Sequence, residues 1–195
     1  MHFEPKYIYH IYNQGNNRQR IFFKRENYLF FLEKIRSHVL PYADILAYCL
    51  MPNHFHLMVY VNHKSDSFTS SEAITKGKTL NDSVGVMLRS YTRAINKQEN
   101  RSGSLFKLHT KAECLTKAES VTPSFYNTSN GTMINIPNPE KEYPQVCFNY
   151  IHNNPVKAGL VNNSGDWEFS SYQDYYGSGE VTLINIERAK EFGLL

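Results

Sequence analysis

Two histidines stand one residue apart near the middle of the chain, in the segment Met51-Pro52-Asn53-His54-Phe55-His56. Successive side chains of a β-strand point to opposite faces, so a strand through this segment places His54 and His56 side by side. Paired imidazoles suit a divalent metal ion whose shell is completed by a carboxylate, amide or phosphate oxygen. From the spacing alone, two solvent-exposed histidines without a metal are the commoner arrangement. The alternate residues from Phe55 to Val61 are apolar, which turns the histidine face away from the core.

A second candidate group lies in Phe148-Asn149-Tyr150-Ile151-His152-Asn153-Asn154-Pro155. A helix is predicted here from about Tyr143 to Asn154, and Pro155 is expected to end it. Asn154 follows Tyr150 by four residues, so the two share one face of that helix. A tyrosine hydroxyl and an amide beside a two-histidine metal site would form a coherent catalytic group. A core tyrosine, with an asparagine that ends the helix, is the simpler alternative.

The elements that would position these groups follow from hydrophobic periodicity. Strands are predicted over 7–13, 43–50, 54–61 and 104–111, and helices over 24–38, 80–97, 143–154 and 186–192. Met51-Pro52-Asn53 is a short connection between two apolar strands, which predicts a hairpin. This order of elements predicts an α+β fold, a ferredoxin-like split βαβ arrangement whose antiparallel sheet carries helices on one face.

The length favours one domain with loop insertions. We expect this domain over residues 1–176, followed by a C-terminal tail, 177–195, with a short helix. Residues 62–79 are polar and rich in Ser, Thr and Lys, so they are predicted to form a linker or surface loop. Residues 116–142 lack periodicity and are predicted to be an insertion or lid loop, with a small hairpin at Ser129-Asn130-Gly131.

Charge is divided unevenly along the chain, although the formal net charge is only +3. Residues 1–111 carry a balance of +8 and residues 112–195 one of −5, so the first half favours a polyanionic partner. On the second predicted helix, Arg89, Arg93 and Lys97 recur every four residues and line up nearly opposite the apolar stripe. An ordinary solvated helix face explains that row equally well.

Composition excludes several classes of protein. Hydrophobic residues make up 41% of the 195 residues and charged residues 20%, which permits a packed core and excludes a disordered chain. No run of about 18 apolar residues occurs, so no membrane-spanning segment is predicted. Cys49, Cys114 and Cys147 are odd in number and far apart, so neither a disulfide framework nor a cysteine zinc site is expected. We therefore expect a protein of the reducing cytoplasm.

Five blocks of the sequence together resemble the single-tyrosine transposases of insertion sequences, which carry a His-hydrophobic-His metal motif. These blocks are HIYNQGNNRQRIF, CLMPNHFHLMVYV, RSGSLF, YIHNNPVKAGLV and WEFSSY, in the family's order from about residue 7 to 172. The branch that the chain most resembles is that of the REP-associated tyrosine transposases. The long 116–142 stretch departs from the family pattern and fits either a specialised target or a domesticated, inactive copy.

The resemblance implies an enzyme that nicks and rejoins single-stranded DNA next to a hairpin, through a covalent 5′-phosphotyrosine intermediate. Carried over by residue, Tyr150 would be the nucleophile, and His54, His56 and Asn154 would bind Mg²⁺ or Mn²⁺. Members of the family are often dimers, so the resemblance leaves open a homodimer that pairs one subunit's histidines with the other's tyrosine.

Basic residues predict where the nucleic acid would bind. The strand would lie along Arg89, Arg93 and Lys97, or along the basic turn at Arg18 and Arg20, with exposed tyrosines stacking on its bases. Two other functions fit the same residues. A non-catalytic, domesticated protein would bind single-stranded or hairpin nucleic acid equally well with and without a chelator. A metallohydrolase with a water nucleophile would leave no covalent adduct.

Overall fold

The computed structural model of the protein describes residues 1–62, 79–117, 125–128, 131–134, 139–177 and 183–195. Its strands are β1 (Ile8–Gln14), β2 (Ala43–Met51), β3 (His54–Val61), β4 (Lys111–Cys114), β5 (Phe125–Thr128) and β6 (Gly131–Ile134). Its helices are α1 (Arg25–His38), α2 (Leu80–Gln98), α3 (Pro139–Lys157), α4 (Tyr172–Tyr176) and α5 (Ile186–Glu191). Within these ranges, no helix is both long and apolar enough to cross a membrane.

Four strands form one antiparallel sheet in the order β2-β3-β1-β4. β1 lies inside the sheet, paired along its whole length with β3 on one side and, from Tyr9 to Tyr12, with β4 on the other. Together with the element order β1-α1-β2-β3-α2-β4, this strand order is the ferredoxin-like split βαβ arrangement, which confirms the predicted fold class. β2 and β3 form the predicted hairpin, and β5 pairs with β6 at the second predicted hairpin.

One face of the sheet is closed by α1 and α2. Alternate residues of β1 and β3, among them Ile11 and Phe55, point to this face and are fully buried. Phe31 of α1 and Tyr91 of α2 pack above them, edge to face, with ring centroids 4.9 Å apart. Tyr91 donates its hydroxyl hydrogen to the Ile21 carbonyl at 2.8 Å. It is therefore a core residue, as its place in the apolar stripe of α2 predicts.

The opposite face carries a second layer that the sequence does not predict. α3 and α5 pack on it through Phe148, Ile151 and Ala189, which join an apolar cluster with Ile8 and Met58 of the sheet. The prediction of helices on one face holds for α1 and α2, the helices of the split βαβ unit. α3 is only weakly amphipathic, so its periodicity gives little sign of a side that faces the sheet.

α3 extends beyond the predicted end of the helix. Pro155 was expected to stop it, but this proline lies inside α3, which continues to Lys157. A proline lacks one N–H donor, and here the turn is closed by the Ala158 N–H, which donates to the Asn154 carbonyl at 3.0 Å. The helix ends where Gly159 adopts a positive φ of 67°, a conformation that glycine permits.

The fourth strand lies farther along the chain than the sequence predicts. β4 pairs with β1 only from residue 111 onward, whereas the predicted strand covers 104–111. Before β4, Phe106 makes an isolated bridge to the loop after β1, so this stretch approaches the sheet without joining the ladder. Most of the predicted loop 62–79 and much of the predicted insertion 116–142 lie outside the described residues.

Candidate active site

The first histidine of the pair follows a tight connection that another loop holds in place. Gly15 donates its N–H to the Asn53 carbonyl at 2.8 Å, and Ile21 donates to the Pro52 carbonyl at 2.9 Å. A Cβ on Gly15 would come within 2.1 Å of the Gln19 carbonyl oxygen, so only glycine fits at this point of the loop. The loop after β1 thereby fixes the turn from which β3 begins.

Three side chains converge where α3 crosses the start of β3. His54 Nε2 lies 3.2 Å from Oδ1 of Asn154, and His56 Nε2 lies 3.3 Å from Nδ2 of the same amide. The two rings stand edge to face with centroids 5.0 Å apart. His56 and Asn154 are 5% and 8% exposed. The structure therefore brings together the three residues that the resemblance implies as metal ligands, although they lie far apart in the sequence.

The far sides of both imidazole rings also have partners. His54 Nδ1 lies 2.6 Å from Oδ1 of Asn53, and His56 Nδ1 lies 2.9 Å from Nε2 of His10. Nε2 of His54 also faces an amide oxygen, but the contact from Nδ1 is the shorter of the two. A neutral ring with its single hydrogen on Nδ1 donates to Asn53 and turns a bare Nε2 toward Asn154. The same tautomer of His56 donates from Nδ1 to His10 and leaves its Nε2 bare as well.

Burial keeps these imidazole rings neutral. It lowers the pKa of His56 to about 2 and that of His10 to about 4, and it also lowers the pKa of His54. The neighbouring histidines lower the pKa of His56 further, because two imidazolium ions at this separation repel each other. The neutral ring is the form that ligates a metal ion, so the donor atoms are in the right protonation state at neutral pH.

The donor set has the chemistry of a site for a divalent ion. Two bare Nε2 atoms face one amide, whose single NH₂ group meets one lone pair while its oxygen meets the other. A cation among the three would satisfy both nitrogens and the amide oxygen. In the described part of the chain, no three His, Cys, Asp or Glu side chains gather around one point. Because this set carries no negative charge, we expect weak metal binding until a phosphate oxygen joins it.

Tyr150 stands one helical turn before Asn154 on α3, beside the histidines. Its ring centroid lies 5.4 Å from that of His56 and 6.3 Å from that of His10, edge to face in both cases. The residue is 40% exposed, and Nζ of Lys157 lies 5.3 Å from the ring centroid. An accessible phenol between neutral imidazoles and an ammonium group is placed to attack a bound electrophile. All of these groups come from a single copy of the chain.

Two further histidines, His10 and His152, lie near the candidate site. His152 lies outside the site, because this side chain is 3% exposed and its Nε2 lies 2.8 Å from the Ser171 hydroxyl. His10 lies in the strand predicted over 7–13, and nothing in its local sequence shows that its partner is His56. The alternation of β1 puts His10 and Tyr12 on one face. Only the pairing of β1 with β3, which sets Tyr12 opposite His56, brings that face to the site.

A solved structure has the same architecture as this chain. The chain is similar in fold to a REP-associated tyrosine transposase. The structure of that protein, bound to a REP hairpin, matches with a TM-score of 0.57 and 16% sequence identity, and the match covers 93% of this chain and 91% of that one. At this level of identity the likeness shows the fold alone. No family model and no curated protein matches the sequence.

Two of the predicted DNA-binding residues line a cleft that leads to the site. Arg89 and Arg93 of α2 border a cleft of about 430 Å³ together with Lys107. Lys107 also borders a neighbouring cleft of about 340 Å³, whose walls include both site histidines and the site tyrosine. The two clefts therefore share one lysine, and a chain of positive charge runs from α2 to the site.

The other predicted DNA-binding residues lie outside these two clefts. Lys97 is exposed one turn beyond Arg93, near the end of α2, and it borders neither cleft. Arg18 and Arg20 are exposed in the loop after β1. The carbonyl of Arg18 accepts a hydrogen bond from Nδ2 of Asn53 at 3.3 Å, so this loop puts positive charge next to the hairpin turn.

Proposed function

We propose that this protein is a tyrosine-nucleophile DNA strand transferase, which nicks and rejoins single-stranded DNA beside a hairpin. One observation carries the proposal: the amide of Asn154, one helical turn from Tyr150, contacts Nε2 of both His54 and His56. The fold neighbour is a tyrosine transposase bound to a hairpin, which supports the substrate class.

Tyr150 acts as the nucleophile. Its oxygen attacks the phosphorus of the scissile phosphodiester, the bond from phosphorus to the 3′-oxygen breaks, and that oxygen takes up a proton to become a 3′-hydroxyl. The product is a 5′-phosphotyrosine, which keeps the energy of the broken bond, so a 3′-hydroxyl can attack it and rejoin DNA without ATP. The phenol gives up its proton in the attack, which balances the proton that the 3′-oxygen takes up, and Nζ of Lys157, 5.3 Å from the tyrosine ring centroid, would place a positive charge near the incoming phosphate.

His54, His56 and Asn154 would hold Mg²⁺ or Mn²⁺. When bound there, the ion withdraws charge from the scissile phosphate and stabilises the charge of the transition state. The protein's own contribution is orientation. Asn53 and His10 hold Nδ1 of the two rings, which keeps both Nε2 atoms directed at the same amide.

Basic residues around the site would contact the phosphate backbone. Arg89 and Arg93 border the cleft that leads to the site, and Lys97 continues their row along α2. Arg18 and Arg20 lie beside the hairpin turn. Each contact releases counterions from the DNA, so the affinity should fall steeply as the salt concentration rises.

The test is covalent capture of DNA. Protein and Mn²⁺ are mixed with labelled single-stranded hairpins from the DNA that flanks the protein's own gene, and products are resolved on a denaturing gel. We expect a slowly migrating protein–DNA band that disappears with Tyr150→Phe and with a chelator. Tyr176→Phe is the matched control, because Tyr176 is another exposed tyrosine, in α4, and the band should persist in it.

Other results of this experiment would favour one of the alternative functions. A band that survives Tyr150→Phe would contradict the assignment of the nucleophile. A nicked strand without any covalent band would favour a water nucleophile. Hairpin binding that is unaffected by the chelator, together with no nick and no band, would favour a non-catalytic nucleic-acid-binding protein.

A further inference from the structure

A large cavity opens on the side of Tyr150 that faces β4. Its volume is about 570 Å³, and it lies between α3 and the strands β1 and β4. Its lining combines tyrosines and small apolar side chains with one carboxylate, Glu113, one lysine, Lys157, and the polar side chains of two histidines and two asparagines. His56 and Tyr150 belong both to this cavity and to the site, so whatever fills it lies next to the scissile phosphate.

Glu113 is the unusual member of this lining. It is exposed on β4, and Tyr12 donates its hydroxyl hydrogen to Oε1 at 2.6 Å. Of the lysines and arginines that the structure describes, none forms an ion pair with it. A carboxylate repels phosphate oxygens, so its place beside a DNA-cleaving site calls for a ligand group that donates hydrogen bonds.

The aromatic and apolar side chains of the same lining suit a flat, partly apolar ligand. Tyr12, Tyr143 and Tyr150 offer aromatic rings, and nucleic-acid bases stack on aromatic side chains whatever their sequence. Leu115 and Cys147 are buried apolar side chains of the same cavity. Enzymes that read a base outside the duplex combine such stacking with hydrogen bonds to its edge.

We propose that this cavity receives one unpaired nucleobase next to the scissile phosphate, and that Glu113 selects a base with an exocyclic amino group. The proposal rests on the function proposed above, because that function supplies the single-stranded DNA. Glutamate accepts a hydrogen bond from the N4 amino group of cytosine, whereas thymine and uracil present a carbonyl oxygen at the same position. Glu113 thereby disfavours thymine at this position of the target.

The test compares two oligonucleotides that differ only in the base edge. Fluorescence anisotropy measures the binding of labelled (dC)₁₂ and (dU)₁₂, with a chelator present so that no strand is cut. We expect the wild-type protein to bind (dC)₁₂ about tenfold more tightly. Glu113→Gln should reduce this ratio to about twofold or less, because an amide offers one weaker acceptor atom in place of a charged group.

The ratio of the two affinities separates base recognition from simple charge. Removing any negative charge strengthens the binding of both oligonucleotides alike. Glu33→Gln is the control, since Glu33 is an exposed carboxylate on α1, over the other face of the sheet, and it should leave the ratio unchanged. Tyr143→Leu removes a ring and should weaken both affinities about equally, whereas Tyr143→Phe should not.

Several outcomes would overturn the proposal. These are equal affinities of the wild-type protein for the two oligonucleotides, a ratio that Glu113→Gln leaves unchanged, and no measurable binding of either one. If the covalent band forms but the affinities are equal, the base pocket fails and the proposed function stands. If the ratio depends on Glu113 but no covalent band forms with any hairpin, the pocket is supported and the cleavage reaction fails.

Discussion

The two faces of the sheet are formed by the same strands but carry different kinds of side chain. On the face under α1 and α2, alternate residues such as Ile11 and Phe55 pack into a continuous apolar core. On the face under α3, the pattern is mixed: Ile8 and Met58 are apolar, while His10 and His56, farther along the same strands, are polar. Each strand thus stabilises the fold with one side and presents chemical groups with the other.

The mixed face shows how buried polar groups are accommodated without loss of order. His10 and His56 are 6% and 5% exposed. One hydrogen bond joins the two rings, between Nε2 of His10 and Nδ1 of His56, which lie 2.9 Å apart. Buried polar groups are costly unless they are hydrogen-bonded. Removing either ring leaves a buried polar group of the other without its partner, whereas a truncation on the apolar face leaves a void.

The largest effect should come from the apolar face. Phe31 of α1 is fully buried against the sheet, so Phe31→Ala should lower the free energy of unfolding by about 3–5 kcal/mol. Val146 on α3 is 59% exposed, and Val146→Ala should change it by less than about 0.5 kcal/mol. Urea denaturation monitored by circular dichroism gives both values. Similar values for the two variants would contradict the burial of Phe31 in the apolar core under α1 and α2.

A smaller effect is expected where His10 supports His56 on the mixed face. His10→Leu removes the acceptor for Nδ1 of His56 and should raise the Mn²⁺ concentration for half-maximal adduct formation by about 10- to 100-fold. His10→Gln keeps an acceptor at the end of a side chain of similar reach and should restore much of that loss. A purely packing role for His10 predicts the reverse, with leucine tolerated better than glutamine.

Substituting Tyr91 and substituting Tyr150 should have opposite effects on stability and on the covalent band. Both variants should lose less stability than Phe31→Ala. Tyr91→Phe leaves the Ile21 carbonyl without its buried donor and should cost about 1–2 kcal/mol of stability, while the covalent band persists. Tyr150→Phe should leave the stability within about 0.5 kcal/mol of the wild type, while the band is lost. Denaturation curves and the denaturing gel, run on both variants, check this crossed pattern. Loss of the band in Tyr91→Phe at full stability would contradict it.

The smallest effect concerns the cleft that joins α2 to the site. Arg89→Gln should weaken hairpin binding a few-fold and reduce the slope of log affinity against log salt concentration by about one. Arg36→Gln is the matched control, because Arg36 is an exposed arginine on α1. Titrations at several salt concentrations measure the slopes. Equal slopes for the two variants would place the DNA elsewhere.

Local patterns predict much of this architecture. The apolar stripe of α2 and the two runs around Met51-Pro52-Asn53 give nearly correct bounds, because periodicity and turn residues act over a few positions. The pairing of His54 with His56 follows from alternation alone. Asn154 reaches both rings only because α3 lies across β3, and that contact joins residues 100 positions apart.

The mispredicted elements have the same long-range origin. A proline in a helix is unfavourable by local rules, yet Pro155 remains inside α3, whose neighbouring residues Phe148 and Ile151 pack on the sheet. Likewise, β4 begins only where its ladder with β1 forms, at Lys111 opposite Tyr12, and β1 is remote in the sequence. The division of the chain at residue 176 stays a prediction.

The loop between β1 and α1 has a consequence for how the protein opens. Ile21 and Phe22 lie outside every strand and helix, yet both N–H groups donate to the Pro52 carbonyl, at 2.9 and 3.2 Å, and both side chains are buried. Loop amides usually exchange with deuterium quickly, through local openings. These two cannot exchange unless the loop leaves the hairpin turn and withdraws its side chains from the core. We therefore expect both amides to exchange about as slowly as those of the sheet, and the turn before His54 to open together with it.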